Sequence, residues 1–480
     1  MPQMSAPPAI LRVAAAQLPA TRLAEGPRAL DLIDAAIADA AARGVDLLVL
    51  PEGAYPSYYL PGVAEFREAG LMPNRDFLAW LGERARRHHL HLICGYVEDQ
   101  GDGLCNAAAL VDDVGEVVGI ARKSFLWGDD NRVFRPGDRL EVFDTRIGRI
   151  GIAICADVRA PETTAGLAAL GAQLIAVPTC WVNVKRRPGE YYNPQPDFLI
   201  EARGLEIGLP FVCANKVGVE TDTLSYCGFS LITDANARVL AKAPPDAPAL
   251  LCAEVQPAPP RPPAIPGWAR SRLFDSAPAE QAAVEADEPV RIAAIPSASL
   301  IHADGGMELL RRLAADGVVA AVSALPSMAA ADDVALLART LGIELVSYAE
   351  PERMRLAAFG GYAALSGDDV RSFAPTRALT LDGAAVLFVI HPPDALPLLR
   401  ARAVENRVVL AAAGAETAFI LGPDGAVLAR TSSNPCEPVT ATVDLTSVRD
   451  KTVFPGTHIF EQRKPRAYAA AFGEPVQTSV

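Results

Sequence analysis

Glu52, Lys123 and Cys155 each close an apolar, strand-like run: LVLPEGAYPS, IARKSF and IGIAICADVRAPE. A side chain at the end of a buried strand is held at the rim of a sheet, where open α/β folds place their chemistry. Cysteine is the strong nucleophile of the three. With a free pKa of about 8.5 it is mostly protonated at neutral pH and needs a base or a cation beside it. Histidine is the usual base, but the chain has only six: His88, His89 and His91 cluster together, and His302, His391 and His458 lie far downstream. A carboxylate such as Glu52 is therefore the natural general base, provided burial raises its pKa toward the working pH. Lys123 would remain charged and favour both the thiolate and the oxyanion formed on attack at a carbonyl, worth roughly 3–4 kcal/mol for a well-placed donor.

Plainer readings stand beside these. A cysteine in an apolar run is most often an inert small hydrophobe, and Cys94, Cys105, Cys213, Cys227, Cys252 and Cys436 fit that description. Cys180, in AVPTCWVN, also ends a buried run and is the rival nucleophile; it reads as pocket wall. Taken alone, Glu52 is equally a loop carboxylate after Pro51, and Lys123 an exposed strand-end charge.

The elements that must position these residues alternate between helix and strand. Leu30, Ile33, Ile37 and Ala41 share one helical face, followed by the apolar run Val45–Leu50; Phe77, Leu81 and Ala85 form a second such face ahead of Leu90–Val97, and Thr163–Leu170 leads into Ala172–Pro178. In APPDAPALLCAEVQPAPPRPPAIPG proline leaves only LLCAEV free to be a strand. The expected organisation is a first domain over residues 1–257, a Pro-rich linker over 258–289 with Trp268, Leu273 and Phe274 as anchors, a second domain over 290–448, and a tail over 449–480 that packs back on the domain pair.

With 480 residues, 50% hydrophobic, 21% charged and a net charge of −13, the chain reads as globular, of two or three domains, and without a nucleic-acid surface. Lys185-Arg186-Arg187 is a local basic exception. No apolar stretch is long enough to span a membrane, MPQMSAPPAI lacks the features of a secretion signal, and the cysteines show no zinc or disulfide spacing, so a cytoplasmic setting without metal is expected. The glycines supply no dinucleotide fingerprint, since Gly101-Asp-Gly103 precedes a strand.

In order and spacing, RVAAAQL, LVLPEGAYP, RKSF, PGDRLEVFDTRIGRIGIAICADVRAPE and EARGLEIGLPFVCANKVG resemble the nitrilase superfamily of carbon-nitrogen hydrolases over most of residues 10–256. That resemblance implies an αββα sandwich with a Glu52–Lys123–Cys155 triad and no cofactor. Members commonly carry a second glutamate after the lysine; in GDDNRVFRPG the matching position is Asp130, one methylene shorter. Ala156-Asp157 follows the cysteine where nitrile-cleaving members have Trp-Glu, which favours amide or carbamoyl substrates, and the Ala156 N–H is implied as an oxyanion donor. The implied reaction is cleavage of a small-molecule amide through a cysteine thioester. An acyltransferase would use the same triad, and an inactive small-molecule binder is the non-enzymatic alternative. Pocket walls are expected from Tyr55, Tyr58, Trp127, Cys180, Trp181 and Asn183, with VNVKRRPGEYYNPQP folding over the site.

The second half echoes the first. VRIAAIPS matches RVAAAQLP, ADGVVAAVSALPS matches ARGVDLLVLPE, VRSF matches RKSF, and RARAVENRVVLAAAG matches EARGLEIGLPFVCANKVG. This reads as a truncated second sandwich with Ser327 for Glu52 and Arg371 for Lys123. The interval from Ser372 to Arg402 is far shorter than that from Ser124 to Arg203, so the nucleophile segment is expected to be missing. Nitrilase-like domains usually pair through their helical faces, so the dead copy is expected to serve as an intramolecular pseudo-dimer partner, with further homo-oligomers open.

Overall fold

Successive side chains of the strand Leu11–Pro19 (β1) face opposite ways, and each face meets a different layer. Leu11, Val13 and Ala15 enter a core shared with Ile150, Ile152, Leu174 and Val212 of a second sheet. Ala14 and Ala16 pack instead with Ile33 and Ile37 of the helix Gly26–Ala42 and with Phe77 and Leu81 of the helix Asn74–His88.

The computed structural model describes residues 10–185, 189–275, 288–300, 303–324, 328–350, 353–432, 434 and 437–474. Arg186, Arg187, Ser327 and Cys436 lie outside the described residues. The chain divides into two units: Met1–Pro262 with Phe454–Thr457 and Gln462–Val480, and Pro263–Val453 with His458–Glu461. Among the described residues no helix is long and apolar enough to cross a membrane.

The first unit continues with β2 (Leu47–Val49), β3 (His91–Asp99), β4 (Leu104–Val111), β5 (Val117–Arg122), β6 (Val142–Thr145), β7 (Gly148–Ile152), β8 (Leu174–Pro178), β9 (Phe211–Ala214), β10 (Lys216–Thr221), β11 (Leu224–Cys227), β12 (Leu231–Thr233), β13 (Val239–Lys242) and β14 (Ala249–Val255). One sheet runs β11-β10-β1-β2-β3-β4-β5, with β14 antiparallel to β1; the other runs β13-β12-β9-β8-β7-β6. β1, β2 and β3 are parallel, as are β7, β8 and β9. Leu167 and Ala168 of the helix Pro161–Ala169, with Ile200 and Ile207 of Ile200–Ile207, pack on the second sheet. The result is an αββα sandwich whose β2, β5 and β7 end just before Glu52, Lys123 and Cys155.

The second unit holds β15 (Val290–Ile295), β16 (Val318–Ser323), β17 (Glu344–Val346), β18 (Met354–Ala357), β19 (Gly360–Ser366), β20 (Val386–Ile390), β21 (Val409–Ala413), β22 (Ala418–Leu421), β23 (Val427–Arg430) and β24 (Val439–Val443). Its sheets run β17-β16-β15-β24 and β18-β19-β20-β21-β22-β23. Ile292, Ala294 and Val322 meet Phe388 and Val409 between the sheets. Ala293 and Ala321 face Leu310 and Leu313 of the helix Ala303–Ala315, and Leu387 and Val389 face Leu379 and Leu399 of the helices Phe373–Leu381 and Leu396–Asn406. This too is a four-layer sandwich.

Hydrogen bonds correct the expected register of the echo. In the first unit Arg203 Nε donates to Val158 O at 2.9 Å and pairs with Glu206; in the second, Arg402 Nε donates to Val370 O at 3.0 Å and pairs with Glu405. The Ile154 N–H donates to Asp157 as the Ser366 N–H donates to Asp369. Arg371 thus stands at the station of Arg159, not of Lys123, and Gly367 stands at that of Cys155. β19 takes the place in its sheet that β7 takes in the first unit. Between β17 and β18 the described residues form no counterpart of β4 and β5, the strands that precede Lys123 in the first unit. The four-letter match VRSF to RKSF misled because it was short and local, whereas the arginine tether is long-range.

The expected linker also changes. Gly267–Phe274 is a helix of the second unit, with Trp268 packed on the core containing Leu379 and Leu399.

Gly95 of β3 passes directly behind the Glu52 turn. A Cβ there would press on Pro51 O and come within 2.6 Å of Glu52 Cα. Gly95→Ala should cost about 1–3 kcal/mol by overpacking, measured by denaturant unfolding, and lower activity by displacing Glu52. An unchanged midpoint with full activity would contradict this reading.

Candidate active site

The Glu52 backbone is pinned before its side chain does anything. Its carbonyl accepts from Cys180 Sγ at 3.0 Å, and the next carbonyl, of Gly53, accepts from Lys216 Nζ at 2.7 Å. Gly53 sits at φ 51 against Ser57 O and Tyr58 Cα, so only glycine fits this turn without strain. The carboxylate then points into a dry interior. Oε1 accepts from Asn106 Nδ2 and from Lys123 Nζ, each at 2.7 Å, while Oε2 makes no hydrogen bond to the described residues.

Lys123 follows β5 directly, and its N–H donates to Asn106 O on β4. Its Nζ also donates to Asp130 Oδ2 at 2.6 Å, and that oxygen accepts the Trp127 N–H at 3.0 Å. The ammonium is fully buried between two carboxylates. Burial opposes the charge on Lys123, but Asp130, Glu52 and Cys155 outweigh it and hold its pKa well above the ordinary value. Burial likewise raises the Glu52 pKa, with Asp130 adding to the rise and Lys123 opposing it.

Cys155 opens the short 3₁₀ turn Cys155–Arg159 after β7, at φ 47. A non-glycine residue in this region is strained by about 1–3 kcal/mol and persists only where its surroundings hold it. Asp157 does the holding. Its buried carboxylate accepts the Ile154 N–H on one oxygen and, on the other, the Ser124 N–H and hydroxyl and the Phe125 N–H, at 2.7–3.0 Å. One side chain thereby ties the cysteine turn to the residues just after Lys123. Burial pushes the Cys155 thiol up to about 12, with Glu52 adding to the rise; Lys123, the Thr179 hydroxyl and the Cys180 N–H pull the other way. The thiol lies close enough to Glu52 to favour the ionised carboxylate.

Of the expected pocket residues, Tyr58 and Trp127 join this cluster. The Tyr58 ring lies 5.6 Å from Lys123 Nζ. Trp127 stacks on Phe454 and carries the Arg159 guanidinium over its ring at 4.2 Å. Trp181 is fully buried in the core that includes Cys155, and its indole N–H makes no hydrogen bond to the described residues. Cys180 turns its thiol to the Glu52 carbonyl, with its pKa raised by burial. Ala156 is buried beside Cys155.

Two placements differ from expectation. Tyr55 stacks on Phe77 and accepts the Met72 N–H on its hydroxyl, so it packs in the helix-facing core. Asn183 binds Glu190 O and the N–H groups of Lys185 and Tyr192, closing its own exposed loop. Both lost their pocket assignment because sequence proximity to a triad strand does not fix side-chain direction.

Asn106, Asp157 and Arg159 belong to the site and were not singled out as site residues from the sequence. Asp157 was legible only as part of a motif. Asn106 gives no local signal, since it lies mid-run in an alanine-rich strand. Arg159 is desolvated, which pulls its pKa down to about 10, and it has no ion pair among the described residues. No group of three or more His, Cys, Asp or Glu among the described residues is arranged to hold a metal.

A family model for carbon-nitrogen hydrolases matches residues 12–259. The chain belongs to the carbon-nitrogen hydrolase family. It is 33% identical over 202 residues to an (R)-stereoselective amidase from Pseudomonas sp., covering 42% of this chain and 70% of the relative. It is 32% identical over 209 residues to a nitrilase from Pyrococcus abyssi, covering 43% and 75%. A probable nitrilase from Schizosaccharomyces pombe is 30% identical over 159 residues, and there the chain spans 56% of the relative's length and the match 32% of this chain. Among solved structures, an amidase from Nesterenkonia sp. aligns at 26% identity and a TM-score of 0.45, covering 52% of this chain and 91% of its own. The family match at residues 12–259 falls within the first unit, and the second unit lies outside it.

For this carbon-nitrogen hydrolase, a thiol pKa pushed up to about 12 means that resting Cys155 is neutral at physiological pH. The difference in thiolate absorbance between the protein and Cys155→Ala should be absent at neutral pH and emerge only in strongly alkaline solution. A difference already saturated below about pH 8 would assign Cys155 an activated, ion-paired thiolate instead.

Proposed function

We propose that the first unit cleaves an amide or carbamoyl carbon-nitrogen bond of a small molecule through a thioester on Cys155. The observation that carries this is the division of labour on Glu52: Oε1 accepts from Lys123 and Asn106, while Oε2 is buried and makes no hydrogen bond to the described residues. A base has to be free on one side, and this one is.

In this reading Glu52 Oε2 takes the Cys155 proton as sulfur attacks the substrate carbon. Two Lys123 N–H groups are committed to Glu52 and Asp130, leaving the third to meet the oxyanion together with the Ala156 N–H. The carbon-nitrogen bond breaks and the leaving nitrogen takes the proton from Glu52. Water then gives a proton to Glu52 and attacks the thioester, releasing the acid and restoring the thiol. No step needs a cofactor. The desolvated Arg159 guanidinium, stacked on Trp127 and within the field of Cys155, suits a substrate bearing a carboxylate. The second unit, with Gly367 at the station of Cys155, is read as a copy without a nucleophile.

Cys155→Ala should abolish turnover, by at least about ten-thousand-fold, with the fold intact by circular dichroism. Retained activity would remove Cys155 from the mechanism. A panel of neutral amides, N-carbamoyl compounds and ω-amides scored for ammonia release tests the substrate class, and preferential transfer to an added amine would mark the acyltransferase alternative.

The pH profile gives an independent check. Glu52 must be ionised to act as base and burial raises its pKa, so kcat/KM should fall as pH drops through a value above the ordinary glutamate pKa of about 4.3. An acid limb at or below that value would argue against a buried base.

A further inference from the structure

The loop that presents Asp130 to Lys123 is held by residues more than three hundred positions downstream. The Gly128 N–H donates to Thr457 Oγ1 at 2.6 Å, Asn131 Nδ2 donates to Gly456 O at 2.8 Å, and Gln462 Nε2 donates to Asn131 Oδ1 at 3.0 Å. The Phe454 ring stacks on Trp127 with centroids 5.7 Å apart. All these residues belong to the first unit. Gly128 sits at φ 55, and a Cβ on it would meet the Phe454 ring at 2.9 Å, so the loop and the tail are shaped to one another. Further on, Arg463 pairs with buried Glu162 at 3.2 Å, one turn beyond the cysteine's own 3₁₀ segment, and Tyr468 is fully buried where the helix Pro465–Ala471 packs on Pro161–Ala169.

These contacts fall where the site is least able to hold itself. Asp130 lies in a single helical turn, Asp130–Val133, too short to be stable alone. The Trp127 N–H that orients the Asp130 carboxylate belongs to the residue just before Gly128, and Asn131 follows Asp130 directly. Thr457, itself fully buried, thus fixes the backbone on one side of the acid while Gly456 and Gln462 fix it on the other.

We infer that Thr457 and Phe454 are positioning residues for the Lys123–Asp130 side of the active site: the Thr457 hydroxyl seats the loop that places Asp130, and Phe454 forms the outer layer of the Trp127–Arg159 wall. This rests on the proposed hydrolysis, and its test is separable from that of the mechanism.

The experiment uses the full-length chain. Thr457→Val keeps the shape and removes the hydroxyl; it should lower kcat about tenfold or more by loosening Asp130, with KM little changed, and Thr457→Ser should restore it. Because Asp130 contributes to the raised Glu52 pKa, the acid limb of kcat/KM should also move to lower pH in Thr457→Val. Phe454→Ala should act on KM and leave that limb in place, and Phe454→Tyr should recover affinity. Two results would overturn the inference: kcat, KM and the acid limb all unchanged in Thr457→Val and Phe454→Ala, or losses that track only a lowered melting temperature, with normal constants for the folded fraction. If Cys155→Ala were active, the mechanism would fail; if Cys155→Ala were dead and the tail variants fully active, only the positioning role would fail.

Discussion

A single ammonium buried between two carboxylates organises this active site. Glu52 and Asp130 hold the charge on Lys123 in a dry interior against the cost of burial. Removing Lys123 would leave two buried carboxylates without a counter-charge, a defect that typically costs about 3–5 kcal/mol. Asp130 helps to hold the Lys123 pKa up and adds to the rise that burial gives Glu52, while Lys123 opposes that rise.

Asp157 carries the mechanical side of the same problem. The three reactive groups come from the ends of three strands in two sheets, and their separation has to be held within a fraction of an ångström. The Asp157 carboxylate takes donors from both the cysteine turn and the Ser124–Phe125 backbone, so the nucleophile and the lysine loop share one anchor. The second unit keeps the matching Asp369 and the Arg402 tether yet has Gly367 where the nucleophile stands. The same hydrogen-bonded turn thus occurs in both units, with Cys155 in one and Gly367 in the other.

Much of this was legible in the sequence, for a physical reason. Continuous apolar runs such as Leu47–Leu50 and Ile150–Ile154 mark strands buried on both faces, and a polar residue just beyond such a run is conspicuous. Glu52, Lys123 and Cys155 stood out in that way, and Asp130 was marked by the resemblance to nitrilase-superfamily members, which commonly carry a second glutamate after the lysine. Asn106 could not, because an asparagine among alanines carries no periodic signal; its importance comes from the strand beside it in space. Tyr55 and Asn183 looked like pocket residues by neighbourhood, and their directions were set by partners, Phe77 and Tyr192, that no local pattern reveals. The internal echo failed for a related reason: VRSF resembled RKSF over four letters, while the true correspondence is carried by an arginine some thirty positions away, donating to the carbonyls of Val370 and Arg371.

The return of the C-terminal segment to the first unit also orders events in time. Gly128 and Thr457 are 329 positions apart, and loop closure over such a span comes late, after local structure has formed. A chain synthesised from its N-terminus carries its cysteine turn long before Thr457 is available to hold the loop bearing Asp130. Until residues 456–462 arrive, the loop of Asp130 lacks the hydrogen bonds with Thr457, Gly456 and Gln462 that hold it in the folded unit.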